Sequence, residues 1–335
     1  MGHHPCWWGI FASCTFACIN FPMPHMPLIV NTAHPILLYL CVVVLSPFWA
    51  NAQGLNRLDP VIVAVGDIAC SSSDKGHKRQ LTQVEACREM ETSDLALQID
   101  NLAAVLTLGD HQYPNGAIGD FQSSYDRSWG RLKSITHPSM GNHERLGEGY
   151  YTYFGAAAGP RGQGYYSFDI GAWHLIALNS NSDCRIVACD SRSAQLAWLR
   201  EDLATHQSLC TLAYWHQPRF SSGRHQANTE MSAIWEELYA SNVDLVLSGH
   251  DHDYERFAPL DGDGRVDEIR GIHSFIVGTG GVSHTEFSII QPGSTVRNND
   301  TFGVLKLVLH PTGYEWEFVP VAGETFTDKG KGRCH

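Results

Sequence analysis

Charge is missing from the start of this chain. No aspartate, glutamate, lysine or arginine precedes Arg57, so the N-terminus and the remainder are two different kinds of sequence. Basic residues are scarce throughout, 23 Lys+Arg against 35 Asp+Glu, for a formal net charge of −12. That balance argues against a protein that tracks nucleic acid through its phosphates, and no nucleic-acid-binding surface is expected. There is no Gly-x-Ser-x-Gly block, which removes the usual support for a serine esterase. No Cys-x-x-Cys pair occurs, which leaves a zinc ribbon without its ligands. Repeats and low-complexity tracts are also absent between residues 60 and 320. What is present is a globular composition: 335 residues, 43% of them hydrophobic, ample for a core.

Ile36 to Leu45 reads ILLYLCVVVL and is followed by Ala50-Asn51-Ala52. A short apolar run ending in a small-x-small site predicts a secretory leader cut after Ala52. The run falls short of the roughly 20 apolar residues that cross a bilayer, so no stable membrane span is expected once the leader is removed. No Lys or Arg precedes it, which keeps an uncleaved anchor or a misassigned start open as alternatives. The expected organisation is a leader over 1–52, a linker over 53–59 and one domain over 60–335, secreted or periplasmic. Cys6, Cys14, Cys18 and Cys41 fall in the leader, leaving six scattered cysteines. An even, scattered set in an exported chain reads as disulfides. Nearest-neighbour pairing gives Cys70–Cys87, Cys184–Cys189 and Cys210–Cys334, one of about 15 connectivities.

Short apolar runs alternate with helical patterns from Pro60 onward. Strands are expected at Val61–Val65, Ala103–Leu108, Leu209–Trp215 and Val243–Leu247. Helices are expected at Leu81–Glu91, Leu95–Ile99, Phe121–Gly130, Ser193–His206 and Thr229–Tyr239. Gly271–Val277, Gly303–Leu309 and Tyr314–Val319 read as strands without helices between them. Near-continuous apolar strands alternating with helices indicate an α/β layer structure. Each of the first four strands delivers a metal-binding residue type just past its C-terminal end, and a fifth such station follows the less apolar stretch Ile135–Met140. The stations are Gly66-Asp67, Gly109-Asp110-His111-Gln112-Tyr113, Gly141-Asn142-His143-Glu144, Trp215-His216 and Gly249-His250-Asp251-His252. Ligands in open α/β sheets bind beyond the carboxyl ends of strands. Asp67, Asp110, Tyr113, Asn142, His216, His250 and His252 are too many donors for one tetrahedral zinc site. They suit two ions about 3.5–4 Å apart sharing a carboxylate, the arrangement used for hydrolysis at phosphorus.

The ordered pattern of these five blocks resembles the calcineurin-like metallophosphoesterases and, within them, the purple acid phosphatases. It covers Asp67 to His252 directly and extends from Pro60 to about Pro320. The resemblance implies a four-layer α-β-β-α sandwich, two mixed β-sheets flanked by helices. Most of the superfamily carries Asp-x-His in the first block; here that histidine position is Ala69, and Tyr113 takes its place as in the purple acid phosphatases. A tyrosinate ligand favours a hard trivalent ion. The resemblance therefore implies Fe(III) held by Asp67, Asp110, Tyr113 and His252. It implies Zn, Fe(II) or Mn(II) held by Asp110, Asn142, His216 and His250. The implied reaction is hydrolysis of a small phosphate monoester by a metal-bridging hydroxide, with His143 assisting the leaving group. A phosphodiesterase or nucleotidase with the same metals is the nearest alternative, and a metal-binding domain without turnover is the alternative from another class.

Weaker signals complete the reading. His111, Arg256 and His284 are candidate substrate contacts, His284 from the rim; a solvent-facing loop is the bland reading of His111 and a surface ion pair that of Arg256. His225 is a further rim candidate. Tyr150, Tyr151, Tyr153 and Phe154 form either a cleft wall or core packing. Nothing in the sequence speaks to oligomeric state.

Overall fold

In the computed structural model of the protein, residues 58–71, 87–206 and 208–335 are described. The leader and most of the Leu81–Glu91 helix lie outside them. Leu55–His335 forms one compact unit. Its architecture follows from strands buried on both faces. In β1 (Val61–Val65), Ile62 and Ala64 point into the space between two sheets, while Val63 and Val65 point to a helical layer. Because alternate residues face opposite sides of a strand and both sides are dry, the run is apolar throughout.

The first sheet also holds β2 (Leu102–Leu108), β3 (Thr136–Ser139), β11 (Gly303–His310), β12 (Gly313–Pro320) and β13 (Lys329–Arg333), in the order β13-β12-β11-β1-β2-β3. The second sheet holds β4 (Tyr166–Ile170), β5 (Trp173–Ala177), β6 (Cys210–Tyr214), β7 (Leu245–Ser248), β8 (Tyr254–Phe257), β9 (His273–Val277) and β10 (Ser294–Asn298). Its order is β10-β8-β9-β7-β6-β5-β4. Both are mixed: β1-β2-β3 and β5-β6-β7-β9 are parallel, and the outer pairings are antiparallel.

Leu106, Leu175, Leu212, Phe275, Leu307 and Trp316 pack between the sheets. Helices α1 (Glu89–Leu97), α2 (Ile118–Ser123) and α3 (Glu148–Phe154) cover the outside of the first sheet, with Phe121, Trp129 and Tyr150 buried beneath them. Helices α4 (Ala194–Thr205) and α5 (Ser232–Ala240) cover the second, burying Leu196, Leu199, Ile234 and Trp235. The result is the four-layer α-β-β-α sandwich. Among the described residues no helix is long and apolar enough to cross a membrane.

Local chemistry sets the boundaries. The Ser193 hydroxyl accepts from the Leu196 amide and starts α4 where the pattern predicts it. The stretch expected as one helix over Phe121–Gly130 is instead α2 followed by two 3-10 turns. Ser124 and Ser128 leave helical geometry there, and the Ser128 hydroxyl donates to the Tyr125 carbonyl (3.1 Å), competing with helix continuation. Disulfides join Cys70–Cys87, Cys184–Cys189 and Cys210–Cys334. The last ties β6 to the C-terminal segment.

Candidate metal centre

The two sheets meet at the carboxyl ends of their parallel strands. The Gly66 amide, just past β1, donates to the Val277 carbonyl at the end of β9 (2.8 Å). Beyond β1 and β2 the chain runs on as a short ladder: the Asp67, Ile68 and Ala69 amides donate to Gly109, Asp110 and His111 carbonyls. The station glycines do not make most of the turns. The left-handed residues are instead largely the donors themselves: Asp67 (φ 61°), Asp110 (φ 48°) and His250 (φ 74°). Aspartate tolerates this region better than most residues, and such strain persists only where surrounding structure enforces it. The glycines mainly permit close approach. A Cβ on Gly249 would stand 2.7 Å from the Asp67 carboxylate, and one on Gly109, itself left-handed at φ +85°, would stand 2.5 Å from His216 Nδ1.

All seven predicted donors converge in two overlapping groups. Tyr113 Oη lies 2.9 Å from Asp67 Oδ1, 3.1 Å from Asp110 Oδ2 and 3.1 Å from His252 Nε2. His216 Nε2 lies 3.1 Å from Asp110 Oδ2, 3.1 Å from Asn142 Oδ1 and 3.2 Å from His250 Nδ1. Asp110 Oδ2 therefore stands in both groups. The tautomers follow from the outward bonds. His216 Nδ1 donates to the Leu108 carbonyl (2.7 Å) and His252 Nδ1 to the Ser283 carbonyl (2.8 Å), since a carbonyl only accepts. With those Nδ1 protons turned outward, each Nε2 faces inward on carboxylate, amide or phenol oxygens. Lone pairs aimed at lone pairs in a buried site are the pattern a cation resolves, so the donor set fits metal ions. Asp110, His216 and His250 form one of two groups among the described residues with the spacing of ligands to one ion, the other being His174, Asp202 and His206 away from this site.

Without a cation, a proton plays that part. Burial disfavours the His216 imidazolium, but Asp110 outweighs it and pushes the pKa up to about 10. Burial and the neighbouring His216 push His250 down to about 3. Burial, Asp110 and Asp67 hold the Tyr113 phenol well above its ordinary value. The Tyr113 amide donates to the Ala69 carbonyl (2.8 Å), so the residue lacking a donor in the first block lies beside the one that supplies it.

His143 borders a cleft of about 400 Å³ together with Asn142 and His250. Its Nδ1 donates to the Pro114 carbonyl (2.8 Å) and its Nε2 lies 3.9 Å from Asp110 Oδ2. The weaker candidates fare differently. His111 is wholly buried: its ring packs among Phe121, Tyr125, Tyr150 and Phe154, and Nε2 bonds Thr107 Oγ1 (2.7 Å). It is neither a substrate contact nor solvent-facing, because its side chain turns to the opposite face from Asp110. Arg256 forms a bidentate pair with Asp328 (2.6 and 3.2 Å) over Trp316, so its guanidinium is committed away from substrate. The His284 ring packs on Phe302 and does not line the cleft. Tyr150, Tyr151, Tyr153 and Phe154 are core.

With this geometry in place, the family comparison is decisive. The profile of the calcineurin-like phosphoesterases matches residues 60–254. The chain belongs to that family. Purple acid phosphatase 15 of Arabidopsis thaliana is 33% identical over 150 residues, 38% of this chain and 27% of that protein. The Arabidopsis protein called probable inactive purple acid phosphatase 1 is 24% identical over 305 residues, 78% of this chain and 47% of its own. The purple acid phosphatase PPD1 from yellow lupin seeds shares the fold with a TM-score of 0.63 at 19% identity, covering 81% of this chain and 53% of that one. These matches span between about a quarter and a half of the relatives' own length.

Two further residues, each inside a station but not a donor, hold the site together. Glu144 is 2% exposed and its carboxylate accepts from four backbone amides: Asp110 (3.0 Å), His111 (2.8 Å), Gln112 (3.4 Å) and Gly141 (2.8 Å). It clamps the second station to the third. Asp251, between two donor histidines, accepts from the Ser221 hydroxyl and the His225 amide, and so holds the His225 ring 4.6 Å from His250. Spacing alone offers no signal for either.

Proposed function

We propose that this chain is an exported, two-metal phosphomonoesterase of the purple acid phosphatase type. The observation that carries the reading is the pair of inward-facing donor groups sharing Asp110 Oδ2. Asp67, Asp110, Tyr113 and His252 would hold one ion, and Asp110, Asn142, His216 and His250 the other. Two carboxylates beside Tyr113 oppose loss of its proton, so the ion that replaces that proton must carry high charge; Fe(III) meets this, with Zn, Fe(II) or Mn(II) at the second position. Bound there, two metal ions lower the pKa of water and withdraw charge from the phosphoryl oxygens.

The remaining steps belong to the chain. Pro114 fixes the His143 ring through Nδ1, leaving Nε2 to give a proton to the departing ester oxygen. The Gly109 and Gly249 close approaches keep the donors preassembled, so little reorganisation precedes reaction. Three disulfides support an oxidising compartment. The test is parallel assay of the metal-loaded protein on an aryl phosphate and a bis-aryl phosphate. The account expects higher kcat/KM for the monoester. Preference for the diester would make it a phosphodiesterase, and a metal-replete protein inert toward both would make it a binding domain.

A further inference from the structure

The cleft over the donor cluster is not walled by neutral groups. Besides Asn142, His143 and His250 it is lined by Arg145, Asp183 and Arg185. Arg145 follows the Gly-Asn-His-Glu block directly. Its backbone is held in a strained conformation (φ 51°, ψ −116°), and its carbonyl accepts from Asn181 Nδ2 (2.5 Å). The segment bearing Arg185 is fixed as well. Ser182, Asp183 and Cys184 are three successive left-handed residues, the Cys184–Cys189 disulfide closes the loop, and Ser180 Oγ accepts from the Gln217 amide (2.9 Å). Arg145 has no ion pair among the described residues, and Arg185 has only an exposed, long contact with Asp183 (3.8 Å). Such a pair contributes little in water. Two arginines thus line a cleft that also holds Asn142 and His250: Arg145 on strained backbone of its own, and Arg185, itself in ordinary helical geometry, directly after three left-handed residues. Backbone strain held at a cleft points to a role for the side chain it aims.

We infer that Arg145 and Arg185 select substrates whose leaving group carries anionic oxygens of its own, a diphosphate being the simplest. This rests on the phosphomonoesterase reading. The reacting phosphoryl group would lie at the donor cluster while the second phosphate meets the guanidinia, whose planar forks match phosphate oxygens. In the step, the oxygen of a water molecule forms a bond to the terminal phosphorus and the bridging P–O bond breaks. The departing phosphate keeps that electron pair and takes a proton from His143, and a proton from the water passes to solvent. Pyrophosphate and water give two phosphates.

The test compares inorganic pyrophosphate with p-nitrophenyl phosphate on the metal-loaded wild type and on R145Q, R185Q and the double variant. The expected result is a fall of about tenfold or more in the ratio of kcat/KM for pyrophosphate over the aryl ester in the double variant, with R185K intermediate. A ratio moving less than twofold would overturn the inference while leaving the phosphomonoesterase reading intact. Binding separates the two ideas if turnover fails altogether. Methylenediphosphonate should bind the metal-loaded wild type more tightly than methylphosphonate, and the double variant should lose that difference. Equal affinity of the wild type for both phosphonates also refutes selection by the two arginines.

Discussion

Replacing Glu144 by glutamine changes one atom and should do disproportionate damage. Its Oε1 accepts from the His111 and Gln112 amides and its Oε2 from the Asp110 and Gly141 amides. A glutamine keeps one acceptor oxygen and puts an NH2 group against the other two donors. Two hydrogen bonds to a charged, buried acceptor are lost, at about 1.5–3 kcal/mol each, and two amides are left unpaired. The sum, about 3–6 kcal/mol, is a large part of the roughly 5–15 kcal/mol that holds a domain together. The loss falls where Asp110 is held left-handed, so metal uptake should suffer too. Urea unfolding of the metal-free protein, where no bound ion confuses the transition, reads the stability; metal analysis of the reloaded protein reads the site. Glu144→Asp, which keeps both oxygens, should retain more of each. An E144Q protein within about 1 kcal/mol of wild type and fully loaded with metal would refute the clamp.

His143→Ala should keep both metals and lose about 10²–10⁴ in turnover, whereas loss of metal would show it to be a ligand. Gly109→Ala places a Cβ against the His216 ring in a conformation alanine resists, so metal per chain should fall below two; an unchanged metal content would contradict this. His174 lies between Asp202 and Asp169, 2.8 Å from each; burial alone would lower its pKa, but the two carboxylates raise it. The stabilisation is complete below the ordinary histidine value of about 6.5 and is lost as pH rises through the elevated folded value. The urea midpoint should therefore decline over that window, and His174→Gln should flatten the decline; a variant as pH-dependent as wild type would exclude the triad as its source.

What could be read in advance tracks burial. β1, β6 and β7 are buried along their whole length and β2 from Ala104 onward, so they appear as near-continuous apolar runs, each ending where a donor must stand. β4 is only half-buried and β13 is lysine, glycine and arginine, so neither has such a run; their places are set by partners across the sheet. All seven donors were legible because their residue types and order are unusual. The burial of His111 was not, since adjacency to Asp110 gives no sign that its ring turns into the aromatic core. Arg256 misled for a different reason: its carboxylate partner, Asp328, lies 72 residues along the chain. Glu144 acts through amides, which leave no trace in residue identity.

Metal analysis of the purified protein, read with its visible spectrum, tests the central proposal most directly. The account predicts two ions per chain, one of them iron, and a violet charge-transfer band that Tyr113→Phe abolishes. A colourless protein holding two zinc ions would remove the iron assignment, and one that binds a single ion or none would contradict the paired site itself.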